Sequence, residues 1–208
     1  MYVPEIYAKK DVPALHDFMR RHSFATLVTQ HQGESFASHL PVMVESGIGA
    51  CGTLVGHLAR NNPQAADFSE GAEVLAIFHG PHAYVSGGWY GPNPMVVPTW
   101  NYVAVHAYGK ARILPEEELV EPLRRQVDEN ERRHESPWAL EITPALRLRA
   151  LPAIAGFEIV LHRIEGKFKL GQNRSEQDRR NVIAHLEQSE HGRETAKWMK
   201  EELEGEKA

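Results

Sequence analysis

The chain has 208 residues, 42% hydrophobic and 25% charged, proportions that fit a folded globular protein and exclude a disordered, collagen-like or coiled-coil chain. Lys plus Arg number 23 against 28 Asp plus Glu, a formal charge of −5, which argues against a large non-specific grip on polyphosphate. The single Cys51 excludes an internal disulfide framework and points to a reducing compartment.

Residues 11–22 read as an amphipathic helix, with Asp11 as cap, Pro13 in the first turn and Leu15, Phe18 and Met19 at helical spacing. From Phe24 the period changes to two: residues 24–29, a turn at 32–34 and residues 35–44 read as a hairpin, with Pro41 marking a bulge or an edge. Further strand-like runs follow at 49–56, 73–78, 83–86 and 102–114, with a short helix at 63–68 capped by Asn61 or Asn62. Some six strands within roughly 100 residues favour a barrel or sandwich over alternating βαβ units.

After Leu114 an acid-led helix begins, with Leu119, Leu123 and Val127 every four residues and Pro122 expected to kink it or move its start. A short helix at 146–151 and a strand at 153–164 follow, then a capping-box-like start at Ser175 and two terminal helices. The expected architecture is mainly β with peripheral helices: one domain over 1–208, barrel strands within 24–114 and 153–164, a helical insertion at 115–151 and C-terminal helices within 175–204. With no leader-like start and no apolar run near ~18 residues, no membrane contact and a cytoplasmic location are expected.

Three segments carry candidate chemistry. At 56–64 the chain leaves a strand and enters a helix, and Arg60, Asn61 and Asn62 supply a charged fork and neutral donors suited to a phosphate. The Gly/Pro-rich stretch from His79 to Tyr102 carries Trp89, Tyr90, Trp100 and Tyr102, a wall able to stack on a planar heterocycle whose polar edge Ser86, Thr99 and Asn101 could satisfy. The basic segment 169–174 ends in Gln172 and Arg174 just before a helix, where its donors could meet an anion, and Arg174, Arg179 and Arg180 form a small basic patch. His79 and His82 stand alone as a His-x-x-His, so no metal site is expected.

Several strings in these segments are specific. Gly-Pro-His-Ala-Tyr-Val-Ser at 80–86, Val-Pro-Thr-Trp-Asn-Tyr at 97–102, Ser-His-Leu-Pro at 38–41, Asn-Pro-Gln at 62–64 and Gln-Asn-Arg at 172–174 resemble the PaiB-type family of FMN-binding negative transcriptional regulators, nearly end to end. The resemblance implies an FMN-binding split β-barrel similar to pyridoxamine-phosphate oxidases, a homodimer, and FMN at the dimer interface. It implies that Arg60, Asn61 and Asn62 hold the phosphate, that Ser38 and His39 lie near the ring system, and that Ser86, Trp89, Thr99, Trp100 and Asn101 line the pocket. Gln172 and Arg174 complete it. Gly87-Gly88 and the insertion at 91–94 depart from the family pattern beside that pocket.

Two classes of function compete. One is a flavin-linked repressor, for which DNA contact would fall to the Arg174, Arg179, Arg180 patch doubled across a dimer, against the net charge. The other is an FMN-dependent oxidoreductase acting on a small molecule, with His39, His82 or Tyr102 as proton donors; haem held by a histidine is a lesser third.

Overall fold

The alternation that starts at Phe24 generates a mainly antiparallel seven-stranded sheet in the computed structural model, which describes residues 1–69, 71–91, 97–132, 134–135 and 137–205. The strands are β1 (Ala8–Lys9), β2 (Phe24–His31), β3 (Glu34–Glu45), β4 (Thr53–Ala59), β5 (Glu73–Val85), β6 (Thr99–Ile113) and β7 (Ile154–Lys169). The helices are α1 (Val12–Arg21), α2 (Gln64–Ser69), α3 (Glu116–Glu131), α4 (Pro144–Arg149), α5 (Glu176–Glu187) and α6 (Arg193–Gly205). Among the described residues no helix is long and apolar enough to cross a membrane.

The hydrogen-bonded order is β1-β7-β4-β3-β2-β5-β6, and β6 pairs again with β7. Six strands therefore close on themselves, which removes the unpaired edges that a six-stranded open sheet would expose. The chain resolves into two compact units interleaved in sequence, residues 12–78 with 106–164 and residues 1–11 with 79–105 and 165–208.

In the larger unit the hairpin turn falls at Gln32 (φ 52°) and Gly33 (φ 85°), and His31 pairs with Glu34 across it. Two left-handed residues give the tight turn whose twist matches the flanking strands. Pro41 pairs with Phe24 on the β2 side, whereas β4 pairing starts only at Val42. Val42 N–H points to Ser23 on the β2 side, so the position of the missing Pro41 N–H faces the side where β3 has no partner. The alternating inner strand positions bury Leu27, Leu54, Leu58, Phe78, Phe157 and Ile159 completely, and α2 adds Phe68, each contributing about 1.5–3 kcal/mol relative to exposure. Phe68 meets Phe157 edge to face at 5.1 Å.

Some element boundaries differ from the sequence reading for local reasons. The fourth strand starts at Thr53 rather than 49, because Gly49 and Gly52 both adopt positive φ, 79° and 83°, and keep the preceding segment in a turn. Residues 73–78 and 83–86 are not two strands: β5 runs without interruption through Gly80 and Pro81. Its pairing with β2 ends at Ile77, so the proline ring costs no ladder bond on that side. Helix α3 also continues through Pro122 from Glu116.

In the smaller unit β1 pairs with the end of β7, Ala8 opposite Lys167 and Lys9 opposite Gly166. Ser175 caps α5 by accepting from Asp178 N–H at 3.1 Å and donating to its carboxylate at 2.8 Å. Helices α5 and α6 bury Val182, Ile183, Leu186, Ala196, Met199 and Leu203, and Trp198 meets Phe168 of β7 edge to face at 5.5 Å.

Candidate functional site

In the larger unit the strand-to-helix corner after β4 is held by its own side chains. Asn62 accepts from Gln64 N–H at 3.0 Å, which caps α2, and its amide donates to Ser38 Oγ at 2.9 Å. Ser38 and Asn62, 24 residues apart, are thereby brought together, while Asn61 stands exposed beside them. His39, next to Ser38, points to the opposite face, where its Nδ1 lies 3.0 Å from Thr26 Oγ1. Arg60 folds its fork onto backbone, Nε donating to Pro152 O at 2.8 Å and Nη2 to Ile154 O at 2.5 Å, while its N–H donates to Ala153 O.

Two polar side chains behind this corner, one buried and one half-buried, have no counterpart among the sequence candidates. Gln64 is completely buried, and its amide donates to Leu27 O, Thr29 Oγ1 and Phe36 O at 3.1–3.3 Å. That locks α2 onto the hairpin. His57 on β4 is hydrogen-bonded to Gln126, whose amide donates to Pro41 O at 3.1 Å. Burial holds the His57 imidazole below its ordinary pKa, and the Gln126 bond only partly opposes this.

The unfolded chain protonates His57 near ~6.5 and the folded chain only at lower pH, so the neutral imidazole contributes stability above about pH 6.5 that is lost as pH falls toward the folded value. Urea midpoints of the wild type should therefore decline below about pH 6.5, and His57→Gln should flatten that part of the profile.

In the smaller unit the aromatic stretch forms one exposed face and one anchored turn. Trp100 is 53% exposed and Tyr84 48%; their rings meet edge to face at 5.9 Å, and His82 lies 6.1 Å from Trp100. A cleft of about 410 Å³ is lined by His79, Gly80, His82, Trp100, Tyr102 and Val103. Asn101 faces the other way, buried, its amide donating to Met199 Sδ at 3.3 Å. Trp89 does not join Trp100; it stacks on His185 of α5 at 5.0 Å and 13°. Ser86 accepts from Gly88 N–H at 3.2 Å and so shapes the Gly87-Gly88 turn, while residues 92–94 of the insertion lie outside the described residues.

The 169–174 segment is bound into the end of β7. Gln172 accepts from Leu170 N–H at 2.8 Å and donates to Phe168 O at 2.6 Å, closing a turn in which Gly171 takes φ 89°. The Arg174 guanidinium lies 4.8 Å from the Tyr90 ring. Burial raises the Tyr90 pKa while Arg174 pulls it down. Gly91 N–H donates to Asp178 at 2.9 Å, and this bond with Ser175 holds the Asp178 carboxyl below its ordinary pKa. The basic patch expected from Arg174, Arg179 and Arg180 does not form on the surface as a unit: Arg179 is buried, and Arg180 binds Glu176 at 2.6 and 3.0 Å.

Residues 1–163 match the family model described as "Putative FMN-binding domain". The chain belongs to this FMN-binding family. It is 37% identical over 207 residues to the protease synthase and sporulation protein PAI 2 of Bacillus subtilis, covering 98% of both chains, so the PaiB-type resemblance of its motif strings extends along the whole sequence. Among solved structures it is similar to the flavocytochrome Anf3 of Azotobacter vinelandii (TM-score 0.62, 15% identity, 85% of this chain and 77% of that one). A FAD- and haem-binding protein of Mycobacterium smegmatis is also similar (TM-score 0.60, 13% identity, 83% and 78%). The fold is thus that of the flavin-binding split barrels, and FMN is the family's cofactor.

Each unit, taken by itself, holds groups of the kinds that this cofactor uses. A flavin mononucleotide needs donors for a phosphate, a flat apolar wall for its ring system and polar groups for the ring edge. The larger unit offers the Ser38 hydroxyl, the Asn62 amide and the Arg60 charge at one corner. The smaller unit offers a half-exposed indole beside a cleft.

Proposed function

We propose that the protein is a homodimeric, FMN-linked regulator of the PaiB type. The observation that carries this reading is the 37% identity to the sporulation protein PAI 2 over 98% of both chains, in a chain whose half-exposed Trp100 lines a cleft of about 410 Å³. Arg60 acts with Asn61 and Asn62 on the phosphate and Ser38 serves the ring edge, while His39 lies on the opposite face of β3, outside the site. Trp100, with Thr99 and Ser86, forms the pocket wall, Trp89 anchors the adjoining turn on α5, Asn101 keeps β6 seated on α6, and Gln172 and Arg174 close the late turn. FMN, when bound, supplies a ring that reversibly accepts a hydride or electrons. Exposed Tyr2, Ile6, Tyr84 and Val97 on the smaller unit supply the apolar area that a second copy covers.

A second reading, an FMN-dependent oxidoreductase, is favoured by the same cleft, because His79, His82 and Tyr102 line it and can hold or move a proton beside the wall. One titration separates the two. The purified protein is expected to take up FMN in an equimolar complex, with quenched flavin fluorescence and a dimeric sedimentation coefficient. Bleaching of the bound flavin by a reduced nicotinamide supports the enzyme; retention of colour supports the regulator. Failure to take up FMN overturns both.

A further inference from the structure

Among the described residues of the smaller unit, two ammonium groups on β7 lie without a carboxylate partner. Side chains 165, 167 and 169 share one face of β7, since they alternate along the strand. Glu165 accepts from the N-terminal ammonium of Met1. The next group, the Lys167 ammonium, belongs to a side chain only 9% exposed. It donates to Tyr2 O at 3.1 Å and lies 5.4 and 5.3 Å from the ring centroids of Tyr2 and Tyr102. Beyond it, Lys169 Nζ donates to Thr99 Oγ1 and, at 2.7 Å, to Trp100 O. Among the described residues neither ammonium has a carboxylate within ion-pairing distance.

Burying an ammonium without a counter-ion is costly, and carbonyls and ring faces repay it only in part. Two like charges on one strand face add mutual repulsion. Burial depresses the Lys169 pKa most, and Lys167 and Arg174 depress it further. Each ammonium carries three donors, of which Lys167 places one on a protein acceptor and Lys169 two. Donors, charge and a desolvated setting are what an anion binds to. Tyr102, whose ring lies beside Lys167, and Trp100, whose carbonyl holds Lys169, also line the 410 Å³ cleft. The ammonium pair and the flat wall therefore belong to one stretch of β6 and β7.

We propose that Lys167 and Lys169 receive the acidic group of a planar aromatic or heteroaromatic acid, carboxylate or phosphate, whose ring rests on Tyr102. This acid is the small molecule to which the flavoprotein responds; that role rests on the FMN-linked reading, while the binding itself does not.

The test is calorimetric titration of the full-length protein, with and without FMN, using benzoate, phenyl phosphate and neutral benzamide in phosphate-free buffer. At least one acid is expected to bind about 10-fold or more tightly than benzamide, and the preferred arm identifies the acidic group. Lys169→Met should weaken that acid by about 10-fold or more, Lys169→Arg should keep it within roughly 3-fold, and FMN affinity should move by less than about 3-fold in both. Equal binding of acids and amide to the wild type overturns the proposal without recourse to any variant. So does a loss of FMN affinity in Lys169→Met as large as the loss of acid affinity, since the ammonium pair would then serve the flavin phosphate. Acid binding by a protein that takes up no FMN would sink the flavin-linked reading and leave this one standing.

Discussion

Gly109→Ala is expected to destabilise the protein by about 3 kcal/mol or more, at the upper end of overpacking costs. A Cβ built on Gly109 of β6 would stand 2.4 Å from Val160 O and 2.8 Å from Ile159 Cγ2 of β7. Neither neighbour can yield cheaply, because the first is backbone and Ile159 is completely buried. This is also where the sheet closes on itself through the β6–β7 pairing, so relieving the clash means parting the two strands. At about 2–4 °C per kcal/mol for a chain of this size, the melting temperature should fall by roughly 6–12 °C. Gly33→Ala is the contrast: its Cβ would meet nothing within 4 Å, but its φ of 85° lies in the left-handed region, a strain of about 1–2 kcal/mol. Urea unfolding of the two variants separates a cost of space from a cost of backbone conformation, and near-equal midpoints would show that the strands at Gly109 part easily.

What the sequence disclosed and what it concealed divide along the same line as these two glycines. Features set by neighbours in the chain were legible: the hairpin at Gln32-Gly33, the Ser175 cap of α5, the Asn62 cap of α2 and the apolar stripe of α1. Features set by partners far along the chain were not. Gly80-Pro81 looks like a turn, yet β5 passes through it because pairing with β2 has already ended at Ile77. Arg60 looks like a free fork, but its carbonyl partners at Pro152 and Ile154 are more than 90 residues away. Lys-Phe-Lys at 167–169 lies beyond the strand expected at 153–164, and nothing local signals that Lys167 is buried beside Tyr2 and Tyr102. The family, in contrast, was legible from short strings, because strings such as Gly-Pro-His-Ala-Tyr-Val-Ser at 80–86 combine residue types that rarely occur together without a shared ancestor.

Trp100→Ala is expected to separate the flavin site from folding. Its indole is half exposed and meets Tyr84 only edge to face, so truncation removes little buried area and stability should change by less than about 1 kcal/mol. A large exposed aromatic ring is costly to leave in water and effective once covered; loss of a central aromatic anchor costs about 2 kcal/mol, or roughly 30-fold in affinity. FMN uptake, followed by flavin fluorescence, should weaken by that factor, and Trp100→Phe should retain most of it. The adjacent Asn101 supplies the control because successive side chains of a strand point to opposite faces. It is buried and donates to Met199 Sδ of α6, so Asn101→Ala should lower thermal stability by about 1 kcal/mol or more through the unpaired buried thioether contact and the cavity left behind, while FMN affinity changes far less than in Trp100→Ala. If both variants instead lose stability together and keep FMN affinity within about 3-fold, the flat wall for the flavin lies elsewhere than on Trp100.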